Sequence, residues 1–299
     1  MNRLNYEKVF KTLVEETGNY LINHSLRAMV LGVSGGIDST VVAAICCEVN
    51  KQTNIPLIGR SLPIKNKKDE FDVSKLVGEA FCNNFDVANL YDEYKCFLSG
   101  LVWREERIDL LDDTETMHPE KSKQQTLIAN GNIQARLRMI YLYNLASIHN
   151  GLVMSTDNQT EYQLGFWTIH GDVGDFDPIQ DLWKTEVYQL AEWLKLFYYT
   201  DGDDADKAVA IGESIKLTPT DGLGISNSDL DQIGAKSYND VDRVLQTLVC
   251  PASPENDRVQ DTLTVEIGPE IIDKIIKRRR NSRFKREKSP IYISREKYE

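Results

Sequence analysis

Ala28-Met29-Val30-Leu31-Gly32-Val33-Ser34-Gly35-Gly36-Ile37-Asp38-Ser39-Thr40 is the stretch that decides the fold. From Ala28 to Ser34 the chain is almost wholly apolar and runs into glycines. An apolar run of this length without alternation is the pattern of a strand covered on both faces, as in a parallel sheet. From Asp38 to Val49 small and apolar residues recur at helical spacing, so a strand, a tight turn and a helix succeed one another.

The same alternation continues outward. A second strand is expected in Ile55–Ile64, a helix over Lys68–Phe81, a third strand from Asp86 to Tyr91 and a helix around Tyr94 to Leu101. Arg104 to Lys123 is polar and breaks periodicity, which reads as a loop and a candidate lid. A long helix from about Asn132 to His149, a fourth strand in Gly151–Asp157 and an amphipathic helix over Lys184–Phe197 follow. Strands alternating with helices define an α/β, doubly wound, mostly parallel sheet flanked by helices, Rossmann-like in outline. Ligands of such sheets sit beyond the carboxyl ends of the strands, so the strand ends at Ser34 and Thr156 are expected to face one crevice.

The 299 residues carry no repeat, low-complexity segment or Gly/Ser linker, so residues 1–299 read as a single domain. No apolar run approaches the ~20 residues that span a bilayer. The amphipathic, acid-bearing start, MNRLNYEKVFKTLVEETGNYLI, reads as a helix and not as a signal or transit peptide, so a cytoplasmic location without a membrane partner is expected. Five cysteines without CxxC spacing speak against a disulfide framework or a zinc site. A net charge of −11 disfavours a general nucleic-acid partner. The exception is Lys277–Lys288, with eight basic residues against the single acid Glu287; a solvated face and a nucleic-acid tail are both open readings of it.

The turn Gly32-Val33-Ser34-Gly35-Gly36-Ile37-Asp38-Ser39 is built for an anion. Glycines bring backbone N–H groups close to phosphate oxygens, the helix start adds partial positive charge, and Ser34 and Ser39 add hydroxyls. The Gly-Lys-Ser/Thr ending of a Walker A loop and the GxGxxG spacing of a dinucleotide fold are both missing. A carboxylate beside phosphates needs a cation between them, so Asp38 points to Mg²⁺. Helix capping alone would account for Asp38 or Ser39, but for neither the paired glycines nor Ser34.

SGGIDS resembles the SGGxDS pyrophosphate loop of the N-type ATP pyrophosphatases, whose adenine nucleotide alpha hydrolase-like fold agrees with the sheet expected here. A second set of residues is similar to the NAD synthetases: Gly131-Asn132-Ile133-Gln134-Ala135-Arg136, Ser155-Thr156-Asp157 with Glu161, Leu164-Gly165-Phe166-Trp167-Thr168, Gly171-Asp172-Val173-Gly174-Asp175, Lys184 and Pro219-Thr220-Asp221. The resemblance runs from about Leu31 to Pro290 and lies in separate motifs kept in one order. It implies an enzyme that binds ATP through Gly32–Ser39, Thr156, Lys184 and Thr220. Asp38 and Glu161 would hold Mg²⁺, with Asp38 and Lys184 as the catalytic pair. Arg136, Asp175, Phe284 and Lys285 would contact deamido-NAD. A surface pair of Lys184 with Asp181, and solvated loop positions for Glu161 and Asp175, are the plain alternatives.

The implied activity is ATP-dependent amidation of deamido-NAD through an acyl-adenylate. The length leaves no room for a glutaminase domain, so free ammonia is the expected nitrogen donor and a homodimer the expected assembly. Departures fall on the dinucleotide side: Ile169 where a lysine is usual, GDVG for GDGG, PTDGL for PTADL and Phe284 for a histidine. Another ATP pyrophosphatase acting on a tRNA base or a small heterocycle, and a nucleotide-sensing protein without catalysis, are the competing classes.

Overall fold

The computed structural model describes residues 4–109, 119–200, 204–219, 229–249 and 263–287. Its strands are β1 (Met29–Gly32), β2 (Leu57–Ser61), β3 (Asn84–Val87) and β4 (Leu152–Val153). They form a parallel sheet of order β3-β2-β1-β4. The helices are α1 (Tyr6–Asn23), α2 (Ile37–Thr53), α3 (Lys68–Phe81), α4 (Tyr91–Asp109), α5 (Pro119–His149), α6 (Gln159–Leu164), α7 (Lys184–Thr200), α8 (Ala205–Lys216), α9 (Asp229–Ile233), α10 (Tyr238–Val249) and α11 (Pro269–Asn281).

β1 is apolar throughout because both its faces are covered. Met29, Leu31 and Val33 enter a large core with α1, α2, α3, α7 and α8. Ala28 and Val30 meet Ile58, Val153 and Ala146 of α5 on the other face. α2 is buried almost all round, and its run Val41-Val42-Ala43-Ala44-Ile45-Cys46-Cys47 lets neighbouring helices approach closely. Cys46, Cys47 and Cys82 are free thiols. Burial pushes the Cys82 thiol up to about 12 and Cys46 higher still, so neither is a reactive thiolate.

The chain winds from β1 to β2 and β3 on one side and then crosses to β4 on the other. The order therefore reverses between β1 and β4, which is where such sheets open a crevice. A second, smaller core joins α9, α10 and α11 to α6 through Leu164, Val241, Leu245 and Ile275, with Phe166 and Trp183 packed against it. Gly165, which ends α6, has φ of +70°, and a Cβ there would lie 2.4 Å from Ser282 Cβ. Only glycine fits that junction.

Three sequence expectations change, the first being β3, which spans Asn84–Val87 and not Asp86–Tyr91, since α4 already begins at Tyr91. The loop expected over Arg104–Lys123 is helical at both ends: α4 runs to Asp109 and α5 starts at Pro119, with 110–118 outside the described residues. Proline suits a first helical position and Glu, Lys and Gln favour helix, but the segment's sequence carries no apolar stripe to mark the period. β4 spans two residues and not seven, because beyond Val153 the chain turns to pair with the 174–176 segment through Ser155 N–H to Phe176 O (2.8 Å) and the Met154–Phe176 bridge.

Candidate active site

The glycine turn follows β1 directly. Gly35 has φ of +84°, and a Cβ there would sit 2.7 Å from Glu70 O and Ser74 N, so the position demands glycine twice over. Its carbonyl accepts from Ser214 Oγ (2.9 Å), and the Gly36 carbonyl accepts from Ser39 Oγ (3.0 Å) and Thr40 Oγ1 (2.9 Å). Ser34 Oγ pairs with Ser39 Oγ (2.9 Å) and accepts from Gly36 N (3.2 Å). The hydroxyls thus hold the turn's shape. Gly36, the N-cap of α2, supplies no side-chain cap, so the first-turn N–H groups lack the usual side-chain acceptor.

Asp38 stands in that first turn, and Lys184 is the first residue of α7. Their side chains meet: Lys184 Nζ lies 2.5 Å from Asp38 Oδ2 and 2.9 Å from Glu161 Oε1. The lysine is 2 % exposed and both carboxylates 16 %. Burial alone would push the Lys184 ammonium down, but Asp38, Glu161 and the Tyr238 phenol outweigh it and hold it well above its ordinary value. The Tyr238 ring lies 5.5 Å from Nζ. The surface pair with Asp181 is not the arrangement found.

Asn158 joins the two acids. Fully buried, it donates from Nδ2 to Asp38 Oδ1 (2.8 Å), accepts at Oδ1 from Glu161 N (3.1 Å), and gives its own N–H to Glu161 Oε2 (3.3 Å). It is also the N-cap of α6, so the cap that starts the helix fixes where Glu161 points. Its role was missed in the sequence because Asn-x-x-Glu reads only as a capping signal.

A cavity of about 760 Å³ opens here. Gly32, Val33, Ser34, Gly36, Ile37, Asp38 and Ser39 line it from β1 and the turn, and Thr156 and Glu161 from the β4 side. The two strand ends therefore share one crevice. Lys184 and Lys285 also border the cavity. Thr220 lies outside the described residues. Arg136 gives Nη2 to Ile169 O (3.2 Å), and Asp175 accepts from Tyr143 OH and Val153 N (both 2.9 Å); these two brace the chain on itself. Phe284 is 53 % exposed. Lys285 donates to Gly165 O (2.7 Å) and to Trp167 O. Much of the basic run is likewise engaged: Arg278 with Leu164 O and the Phe166 face, Arg279 with Gln163 Oε1, Arg286 with Gln163 O.

Asp157 and Asp172 line the cavity, and Asp157 feels the charges of Asp172 and Asp177. Burial raises the half-buried Asp157 and Asp177, and repulsion from Asp172 and Asp177 adds to the shift of Asp157. Asp177 is pushed up to about 7 by burial and by the charge of Asp38, and its Oδ2 is buried with no hydrogen-bond partner among the described residues. Between its ordinary 3.8 and 7 the folded chain keeps a proton that the unfolded chain has released. Stability from this group is present at low pH and lost as pH rises towards 7. Asp177→Asn is therefore expected to raise Tm at pH 8 and to match the parent near pH 4; an equal Tm difference at both pH values would contradict the assignment.

Among the described residues no three His, Cys, Asp or Glu side chains gather into a metal cage. The paired acids instead suit a cation that takes its remaining ligands from phosphate and water. An N-terminal helix turn open to anions, two carboxylates sharing one cation, and a parallel-sheet switch point are together the features of an α/β protein suited to a nucleotide's phosphates. The model of the family described as NAD synthase matches residues 9–289, and the chain belongs to that family. It is 35 % identical over 221 residues to the NH(3)-dependent NAD(+) synthetase of Thermoplasma acidophilum, covering 72 % of this chain and 75 % of that protein. The corresponding Pyrococcus furiosus protein is 29 % identical over 288 residues, 96 % of this chain and 94 % of that one. The NMN synthetase structure from Francisella tularensis shares the fold, with a TM-score of 0.72 at 23 % identity over 98 % of this chain and all of that one.

Proposed function

We propose that the chain is an ammonia-dependent NAD synthetase. The observation that carries the reading is the convergence of Asp38 and Glu161, from the first turns of α2 and α6, on the Lys184 ammonium at the mouth of the glycine turn. The relatives named for ammonia dependence support the nitrogen donor.

ATP lies along the α2 start with its phosphates towards the first-turn N–H groups. The nicotinate carboxylate of deamido-NAD attacks the α-phosphorus, the bond to pyrophosphate breaks, and an acyl-adenylate forms. Lys184 offsets the charge growing on the departing pyrophosphate. Ammonia then attacks the activated carbonyl, and AMP leaves with its electron pair. Asp38 and Glu161 would be the oxygen ligands for Mg²⁺, which would supply charge neutralisation to the phosphates. No Ser or Cys nucleophile is required, so positioning and electrostatics carry the rate.

The test is incubation with ATP, Mg²⁺, deamido-NAD and either NH₄⁺ or glutamine. AMP, pyrophosphate and NAD are expected with NH₄⁺ and not with glutamine; ADP in place of AMP would defeat the scheme. Nicotinate mononucleotide is the second acceptor to run. Faster turnover of the mononucleotide than of deamido-NAD would make it the acceptor in place of the dinucleotide. Two copies per particle, the family-level expectation, are read from light scattering of the same sample; a monomer mass would remove it.

A further inference from the structure

Asp242 lies far along the chain from the motifs, on α10, and is 2 % exposed. Its carboxylate accepts from Thr160 Oγ1 (2.5 Å) and from Thr185 N (2.9 Å). Thr160 Oγ1 in turn accepts from Lys184 N (2.9 Å). Thr160 precedes Glu161 and Thr185 follows Lys184, so one buried acid fixes the backbone beside both members of the pair that faces Asp38. The geometry points to Asp242 as a positioning residue for Lys184 and Glu161: a clamp from the C-terminal helical layer that sets where the ammonium and the second carboxylate stand. This rests on the reading of Lys184 as the cation for departing pyrophosphate.

The chemistry favours a carboxylate here. Burial raises the Asp242 carboxyl, while bonds from Thr160 and Thr185 and the charge of Lys184 oppose that rise. Thr160 spends its acceptor on Lys184 N and needs a pure acceptor for its proton, and Thr185 N–H needs another. A carboxylate offers both; an amide offers one oxygen and a nitrogen that cannot accept. One turn earlier on α10, Tyr238 places its ring beside Lys184 Nζ, so the same helix bears on the ammonium from two positions.

The prediction is tested with the full chain, Asp242→Asn, Thr160→Val and Thr160→Ser, after the parent has been shown to make AMP from ATP and an acceptor. A parent that makes none refutes the activity reading and not the clamp. Asp242→Asn and Thr160→Val are each expected to lower kcat by about 10²-fold, the scale of an ångström-sized misplacement, while KM for the acceptor stays within about twofold. The double variant should lose no more than the worse single one, because both break one chain of bonds. Thr160→Ser, which keeps the hydroxyl, should retain kcat. If Asp242→Asn does not fold, the valine and serine variants at 160 decide. Lowered Tm with parental kcat, measured well below the melting point, would mean that Asp242 serves folding alone and would overturn the clamp.

Discussion

Replacing Lys184 with methionine is expected to cut kcat on the order of 10²- to 10³-fold, the usual cost of removing a group that meets charge developing in the transition state. Methionine fills a similar volume without charge, so packing around the α7 start is largely kept. Asp38 and Glu161 would be left facing each other without the ammonium that now lies within 2.9 Å of each. Breaking a buried ion group by removing one partner costs about 3–5 kcal/mol, so Tm should fall as well. The two effects separate on adding Mg²⁺. Deprived of their built-in cation, the carboxylates should bind the metal more readily, and Mg²⁺ should raise Tm of Lys184→Met more than that of the parent. Parental kcat would show that Lys184 is a structural counter-ion outside the chemistry, and equal Tm gains would remove Asp38 and Glu161 as ligands of the metal.

Asp38→Asn is the second large effect. The amide keeps the shape and can still accept from Asn158 Nδ2, which now bonds Asp38 Oδ1 at 2.8 Å. It removes the charge that pairs with Lys184, and Glu161 alone remains to balance the ammonium. A drop in kcat of about 10³-fold is expected, equivalent to several kcal/mol of charge stabilisation. The fold should survive, since Glu161 and Asn158 keep their own capping box. Pyrophosphate release in a steady-state assay reports kcat, and a thermal melt reports folding. An Asn variant with undiminished pyrophosphate release would take Asp38 out of the active site.

The sheet was readable because its signal is local. An apolar run that ends in glycines and opens into a helix has few other realisations, and the helix expected over Lys68–Phe81 forms over those same residues. The turn was readable for the same reason: Gly35 needs positive φ, and the residues that build it are consecutive. The helix of α4 beyond Leu101 and the first turns of α5 were not, because charged segments without an apolar stripe leave no period to detect.

By itself the sequence determined the class of sheet, the anion-binding turn after β1 and the ordered motifs that carry the family likeness, since each is written in neighbouring residues whose conformational and chemical preferences act over a few positions. Tertiary structure decided the pairings. Lys184 meets Asp38 across 146 positions and Asp242 reaches Thr160 across 82, and no local rule selects one acid among many for a given cation. It also decided that Arg136, Asp175 and much of the basic C-terminal run bond to the chain itself. Such choices depend on which groups are buried together, where an unpaired charge or a bare carbonyl costs most, and burial is a property of the whole fold.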